Sequence, residues 1–297
     1  MVELDPQADP QANLQDWVGR TETVAEYIQA TTAEAMAATL LHEPATLEPG
    51  ASLPALWHWT HFLDKPRGDT LGADGHVRRG GFVPPVTLPR RMWGGSRLAY
   101  HQPLRIGEAA ERTSTITRVA EKQGRSGALV IVTIEHRYTG ESGLALVEEQ
   151  DVVYREAPTA NVSASGQATG SGKPGPQPPL AAQWSRTISA DPILLFRYSA
   201  LTFNSHRIHY DHVYATEVEG YPGLVVHGPL VATLLTEELA RHHPEHTLAR
   251  LTIRTLKPLF HDTPFHLEGA LTDGGGAELW CRDEGGALTL QATAEFA

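Results

Sequence analysis

The stretch GALVIVTIEHRYTGESGLALVEEQDVVYR, Gly127–Arg155, holds two strand-like runs separated by a short, glycine-bearing turn. Period-two alternation on both sides of such a turn predicts a pair of antiparallel strands. RTSTITRV (Arg112–Val119) supplies a third run just before them. Further toward the amino end, TETVAEYIQATTAEAMAATLL (Thr21–Leu41) places Val24, Tyr27, Ile28 and Met36 near helical spacing, which predicts a helix across that segment. The connection between helix and strands is rich in Trp, Pro and Gly and reads as loop, with Arg90 and Arg91 in its LPRRMW portion.

The same order of elements returns later in the chain. DPILLFRYSALT (Asp191–Thr202) reads as a helix with Asp191 as its cap and Pro192 at its first position. GPLVATLLTEELARHH (Gly228–His243) reads as a second helix. Four strand-like runs follow: LARLTIRTL, FHLEGAL, AELWCRD and ALTLQATAEF, with Asp-Gly-Gly-Gly and Glu-Gly-Gly turn signals between them. A local echo supports a repeat, since YHQPLRIGE and TLKPLFHDT precede the two strand sets with Pro-Leu at 103–104 and 258–259. Between the halves, APTANVSASGQATGSGKPGPQPPLAAQ has almost no large apolar side chains and reads as an exposed linker. The expected organisation is a unit over 1–156, a linker over 157–183 and a unit over 184–297. The expected fold is α+β, two helix-on-antiparallel-sheet units in one chain.

A formal net charge of −11 carries no electrostatic footprint for nucleic acid, and an anionic ligand would need a local basic patch. Cys281 is the only cysteine, so no intrachain disulfide can form and a reducing compartment fits. No apolar run approaches the roughly 18 residues of a membrane span. The amino-terminal MVELDPQADPQANLQDW is polar and acidic, unlike a signal or transit peptide. A cytoplasmic protein is therefore expected.

Chemistry concentrates in FRYSALTFNSHRIHYDHVYA, Phe196–Ala215, where Asn204, His206, His209 and His212 crowd together. The spacing by three of the histidines would align them on one helical side, but Arg207 sits among them and Asp211 reads as the cap of the next segment. A zinc site needs three or four convergent ligands, so no metal is expected. The plainer alternative is a set of loop residues that satisfy one another. Downstream, the Gly228-Pro229 pair opens a helix whose free N–H groups bias its start positively. A water-binding Asn–His pair facing such an oxyanion-binding helix start makes a usable active site.

YSALTFNSHRIHYDHVYA, with GLVVHGPLVATLL after it, resembles the hydratase-2 motif of MaoC-like hydratases and dehydratases. The closer resemblance is to their two-domain relatives, the type 2 hydroxyacyl-thioester dehydratases. LWHWTHFL and PPVTLPRRMWGGSRLAYHQPLRIG resemble the amino-terminal domain of that family. The resemblance implies a double hot-dog fold, with a degenerate first unit and the catalytic motif in the second. It places the catalytic histidine on His209, the thioester-carbonyl amide on Gly228 and the usual catalytic aspartate on Asn204, which cannot take a proton. His206 and Arg207 stand where the motif usually has asparagine and proline.

The implied reaction is reversible hydration of an enoyl-CoA thioester with a small branched or dicarboxylic acyl group, such as the mesaconyl-C4 (3-methylfumaryl) group. Itaconyl-CoA and longer (R)-3-hydroxyacyl thioesters are alternatives; a thioesterase or a non-catalytic thioester-binding module stand further off. On this reading His209, titrating near neutrality, takes the water proton, and Asn204 orients the water through its side-chain carbonyl. His206, Arg90 and Arg91, and the pair Arg254 and Lys257, are candidates for holding substrate and CoA phosphates; solvated surface charge is the plain alternative. Trp57, Trp59 and Trp93 read as core before acyl pocket. No cofactor is expected, and a homodimer of double hot-dogs is one assembly the duplication allows.

Overall fold

The computed structural model describes residues 12–41, 47–124, 127–156 and 177–297. The two runs that open the sequence reading form β4 (Gly127–Gly140) and β5 (Gly143–Arg155), paired antiparallel from Leu129↔Arg155 to Gly140↔Gly143. β3 (Ala109–Gly124) lies on the other side of β4. β1 (Thr21–Tyr27) closes that edge and β2 (Arg90–Tyr100) flanks β5. In the second half, β6 (Trp184–Ile188), β7 (Leu248–Thr255), β8 (Phe265–Leu271), β9 (Gly276–Asp283) and β10 (Leu288–Phe296) pair in the same order. The ten strands form one sheet, β1-β3-β4-β5-β2-β7-β10-β9-β8-β6, in which the second five mirror the order of the first five.

The seam between halves is the antiparallel pair β2–β7, from Gly95↔Arg254 to Ala99↔Arg250. β2 was expected to be loop, because Pro89 and the Gly94-Gly95 pair read as breakers. Pro89 instead lies just outside the strand, and the glycines sit at a register shift between Trp93 and Gly95. Gly95 has φ +143°, and a Cβ there would lie 2.1 Å from the Ile253 carbonyl oxygen. The glycine allows the two backbones to approach. Arg90 and Arg91 are thus the first two residues of a strand.

The predicted helix over 21–41 is also corrected. Thr21–Tyr27 alternates exposed and half-buried over seven residues, a period of two, and pairs with β3 from Thr21↔Thr115 to Tyr27↔Ala109. Its Thr, Val and Tyr content favours a strand at the sheet edge. Only Ala30–Leu40 is helical (α1), burying Ala33, Met36, Ala37 and Leu40.

α2 (Pro192–Leu201) begins as predicted, with Asp191 accepting from the Leu194 N–H at 2.7 Å. α3 (Gly228–His242) is the long helix of the second half. Its Leu230, Val231, Leu234, Leu235 and Leu239 are buried with Leu251, Ile253, Leu279 and Leu290 of the sheet. The same apolar cluster continues into α1 and into Trp57 of the first half, so one core spans both halves. Most of the expected linker, 157–176, lies outside the described residues.

Candidate active site

α2 ends in a way that aims the motif loop. The Asn204 N–H bonds to the Ser199 carbonyl at 2.8 Å and the Phe203 N–H to the Ala200 carbonyl at 3.3 Å. These are the paired hydrogen bonds of a Schellman motif, with Phe203 at φ +50° in the position usually held by glycine. Asn204 then turns the chain by accepting the His206 N–H on its Oδ1 at 3.0 Å. One lone pair of that carbonyl is therefore committed, and the Asn204 amide nitrogen has no hydrogen-bond partner among the described residues.

A single 3-10 turn, Arg207–His209, follows. Asp211 caps the next segment through the Tyr214 N–H at 3.0 Å and also pairs with Arg207 at 2.7 Å. His209 is buried, and its Nδ1 lies 2.7 Å from the Val225 carbonyl. A carbonyl can only accept, so Nδ1 carries the proton and Nε2 keeps its lone pair. The His209 ring stacks on His227, with centroids 3.6 Å apart and planes at 17°. His227 is the residue before Gly228, so the stack places His209 beside the start of α3. The His227 side chain does not cap that helix; it pairs instead with Ser199 Oγ at 2.9 Å. The first N–H groups of α3 thus have no intrahelical acceptor and no side-chain cap. A Cβ at Gly228 would lie 2.8 Å from Trp93 Cε3, so β2 of the first half lies directly against this helix start.

The first half also contributes a loop that the sequence did not disclose. The Asp74 carbonyl accepts from the Arg207 N–H at 2.9 Å, the Ala73 carbonyl from Arg207 Nη1 at 3.1 Å, and the Gly75 carbonyl from Ser205 Oγ at 2.5 Å. The Asp74 carboxylate accepts from the backbone N–H of His76 at 2.9 Å and from its Nδ1 at 3.1 Å. The His76 ring lies 4.0 Å from that of His206, which is 5.5 Å from His209. Four imidazoles, His76, His206, His209 and His227, therefore form a row from the first half to the start of α3.

Burial pushes all four down, His76 and His209 to about 4 and the other two well below the usual range. The positive charge of Arg91 adds to this at His76 and His206. At neutral pH the row is uncharged, so the expectation that His209 titrates near neutrality is corrected: desolvation outweighs its bond to Val225. Ligand atoms of Asp74, His76 and His206 lie within 4.8 Å of one another. The carboxylate is already engaged by His76, and the charge of Arg91 bears on all three groups, which opposes a dication. His212 turns away, toward His261 at 5.9 Å.

The proposed phosphate ligands fare unequally. Arg90 donates to the Glu219 carbonyl, pairs with the Glu219 carboxylate at 3.3 Å and lies over the Tyr221 ring, so it is held structurally. Lys257 is held by Asp283 at 2.6 Å. Arg254 is exposed near the end of β7. Trp57 is fully buried and donates from Nε1 to Glu237 of α3 at 2.8 Å, while Trp59 and Trp93 meet edge-on at 5.8 Å.

Residues 56–261 match the family model of hydroxyacyl-thioester dehydratase type 2. The chain belongs to that family. It is 48% identical to the mesaconyl-C(4)-CoA hydratase of Chloroflexus aurantiacus over 282 residues, 94% of this chain and 96% of the relative. Among solved structures it is similar to HtdX of Mycobacterium tuberculosis (TM-score 0.64, 18% identity, covering 94% of this chain and 100% of that one). It is also similar to a second M. tuberculosis protein described as having a double hotdog fold (TM-score 0.56, 15% identity, covering 94% and 96%). The ten-stranded sheet with its repeated order is such a double hot-dog. Among the described residues no helix is long and apolar enough to cross a membrane.

Proposed function

We propose that the protein catalyses the reversible addition of water to an enoyl-CoA thioester whose acyl group is small, branched and carboxylated, of the mesaconyl-C4 type. The single observation that carries the proton chemistry is the bond from His209 Nδ1 to the Val225 carbonyl, which leaves a neutral, basic Nε2 beside the start of α3. His209 Nε2 takes a proton from water as the water oxygen bonds to the β-carbon. The π electrons move toward the α-carbon and thioester carbonyl, where the Gly228 N–H holds the developing negative charge. The imidazolium then returns the proton to the α-carbon, and the dehydration direction retraces these steps. Asn204 orients the water with its amide nitrogen and the remaining lone pair of its carbonyl.

The similarity to the C. aurantiacus hydratase supports the acyl class. Arg254 and Arg91 remain as candidates for the CoA phosphates, since Arg90 and Lys257 already have carboxylate partners. On the same reading, 1–156 and 184–297 are the two hot-dog units, the second bearing the catalytic residues. The protein works in the cytoplasm, where acyl-CoA esters and a reduced Cys281 are both at home. The test is incubation with a panel of enoyl-CoA esters, following enoyl absorbance and product mass. Gain of one water by the ester is the expected result; release of free CoA thiol would make the protein a thioesterase instead.

A further inference from the structure

The guanidinium groups of Arg79 and Arg91 both bear on the histidine row. Arg79 is buried and spent on the backbone carbonyls of Val86, Leu88 and Pro89. Arg91 is half-buried, and its guanidinium makes no hydrogen bond or ion pair with any described residue. A cation drawn partly out of water without a partner is costly, and natural sites keep one when an anion is to arrive. Its direction follows from the strand. Arg91 and Trp93 are two apart on β2 and project from the same face, and Trp93 lies against Gly228 at the start of α3. Independently, the charge of Arg91 bears on Asp74, His76 and His206. Asp74 does not neutralise it by direct contact, being occupied by the His76 backbone and ring nitrogens. The open cation thus lies on the face of β2 that Trp93 presents to the start of α3, and its charge reaches the His76–His206 end of the row.

The chemistry of a fumaryl-type thioester requires a cation at that place. In a mesaconyl-C4 thioester the free carboxylate is bonded directly to the β-carbon, the carbon that water attacks. Whatever recognises that carboxylate must therefore lie next to the group that handles the water, at the opposite end of the substrate from the CoA phosphates. We propose that Arg91 is the acyl-carboxylate ligand of this site, selecting enoyl esters that carry a carboxylate on the β-carbon over uncharged ones. The planar fork of arginine suits a carboxylate bidentately. The neighbouring His76 and His206 are uncharged, so Arg91 is the cation available to an arriving anion, with Asp74 the nearby carboxylate.

This inference rests on the hydratase reading, and the test separates the two. Wild type, Arg91→Gln and Arg91→Lys are compared on mesaconyl-C4 and crotonyl esters, each as the CoA ester and as the pantetheine ester that lacks every phosphate. Circular dichroism and thermal melts verify the fold. The expected result is that Arg91→Gln lowers the ratio of kcat/KM for mesaconyl-C4 over crotonyl ester by roughly 30-fold or more, the lower end of what losing one partner of a buried charge pair costs. Arg91→Lys should fall between, keeping the charge without the fork. The same fall should appear on the pantetheine esters. Equal losses on both acyl groups would overturn the proposal in favour of a structural role, and a loss confined to CoA esters would make Arg91 a phosphate ligand. Wild type that hydrates crotonyl-CoA with no preference for the carboxylated ester also overturns it while leaving the hydratase reading intact. Hydration of neither ester by wild type overturns both.

Discussion

His209 differs from a free imidazole in two ways that matter to catalysis: its tautomer is set by the Val225 carbonyl, and burial pushes it to about 4. It is therefore a ready but weak base across the physiological range. An aspartate in place of Asn204 would bring a negative charge toward this imidazole and favour its protonated form. In the proposed mechanism neutral His209 is the active form, so activity should be lost on the acid side as pH falls through its pKa. Asn204→Asp should raise that pKa and shift the acid-side limb of kcat/KM upward, toward neutrality. A pH profile of the variant that overlays wild type would mean that residue 204 does not face His209. These two residues were legible in the sequence because they lie five apart in one contiguous string whose pattern is specific. His227 was visible only as a letter in VVHGPL, where nothing signals that its ring will stack on His209. Its partnership depends on how α3 docks, which local sequence does not encode.

The loop around Asp74–His76 is the element that sequence could not reveal. Asp-Gly-His reads as a turn, and its partners Ser205 and Arg207 are about 130 residues further along the chain. Gly75 is the residue that makes the docking possible. It has φ +88°, and a Cβ there would lie 1.9 Å from the Ser205 carbonyl oxygen. Gly75→Ala should push the loop off the motif, costing on the order of 1–3 kcal/mol of stability for the strained backbone. It should also lower kcat/KM by at least about tenfold, because small displacements of positioning groups are expensive. Thermal melts and steady-state rates check this; an alanine variant with wild-type rates would show that the loop is only a cover. Elsewhere, the strand-like runs between Gly turns identified β3, β4, β5 and β7 to β10; β7 buries alternate residues, whereas β8 and β9 are buried on both faces. Such patterning failed at β1, where Ala and Glu mixed with Thr and Val imitate a helix and only edge pairing with β3 decides. It failed at β2 because the glycines that make the seam possible are the same residues that signal a break.

At the scale of the whole molecule, a duplicated sheet lets one chain bring residues of both halves to the proposed site: His209, Asn204 and Gly228 come from the second, Asp74, His76, Arg91 and Trp93 from the first. The repeated element order was legible; the continuity of the sheet through β2–β7 was not, since pairing of two strands so distant in sequence leaves no local signature. Concentrating buried imidazoles has a consequence for stability. Burial pushes His76, His209 and His136 to about 4, and His61, His206 and His227 below their ordinary range. The unfolded chain takes up these protons near pH 6.5 and the folded one only at lower pH, about 4 for His76, His209 and His136, so stability is fully present above about 6.5 and lost as pH falls below it. Each such histidine adds a slope of up to about 1.4 kcal/mol per pH unit. Urea melts at intervals between pH 7 and 4 should follow that decline; a flat profile would mean these rings are hydrated in the folded state. The most direct test of the active-site assignment is kcat/KM of His209→Ala on mesaconyl-C4-CoA, with the fold verified by circular dichroism. The predicted result is a loss of at least about 100-fold, the help that a positioned acid–base group supplies. A folded variant that retains near-wild-type kcat/KM would contradict it, leaving the histidine row a structural feature and the proton chemistry elsewhere.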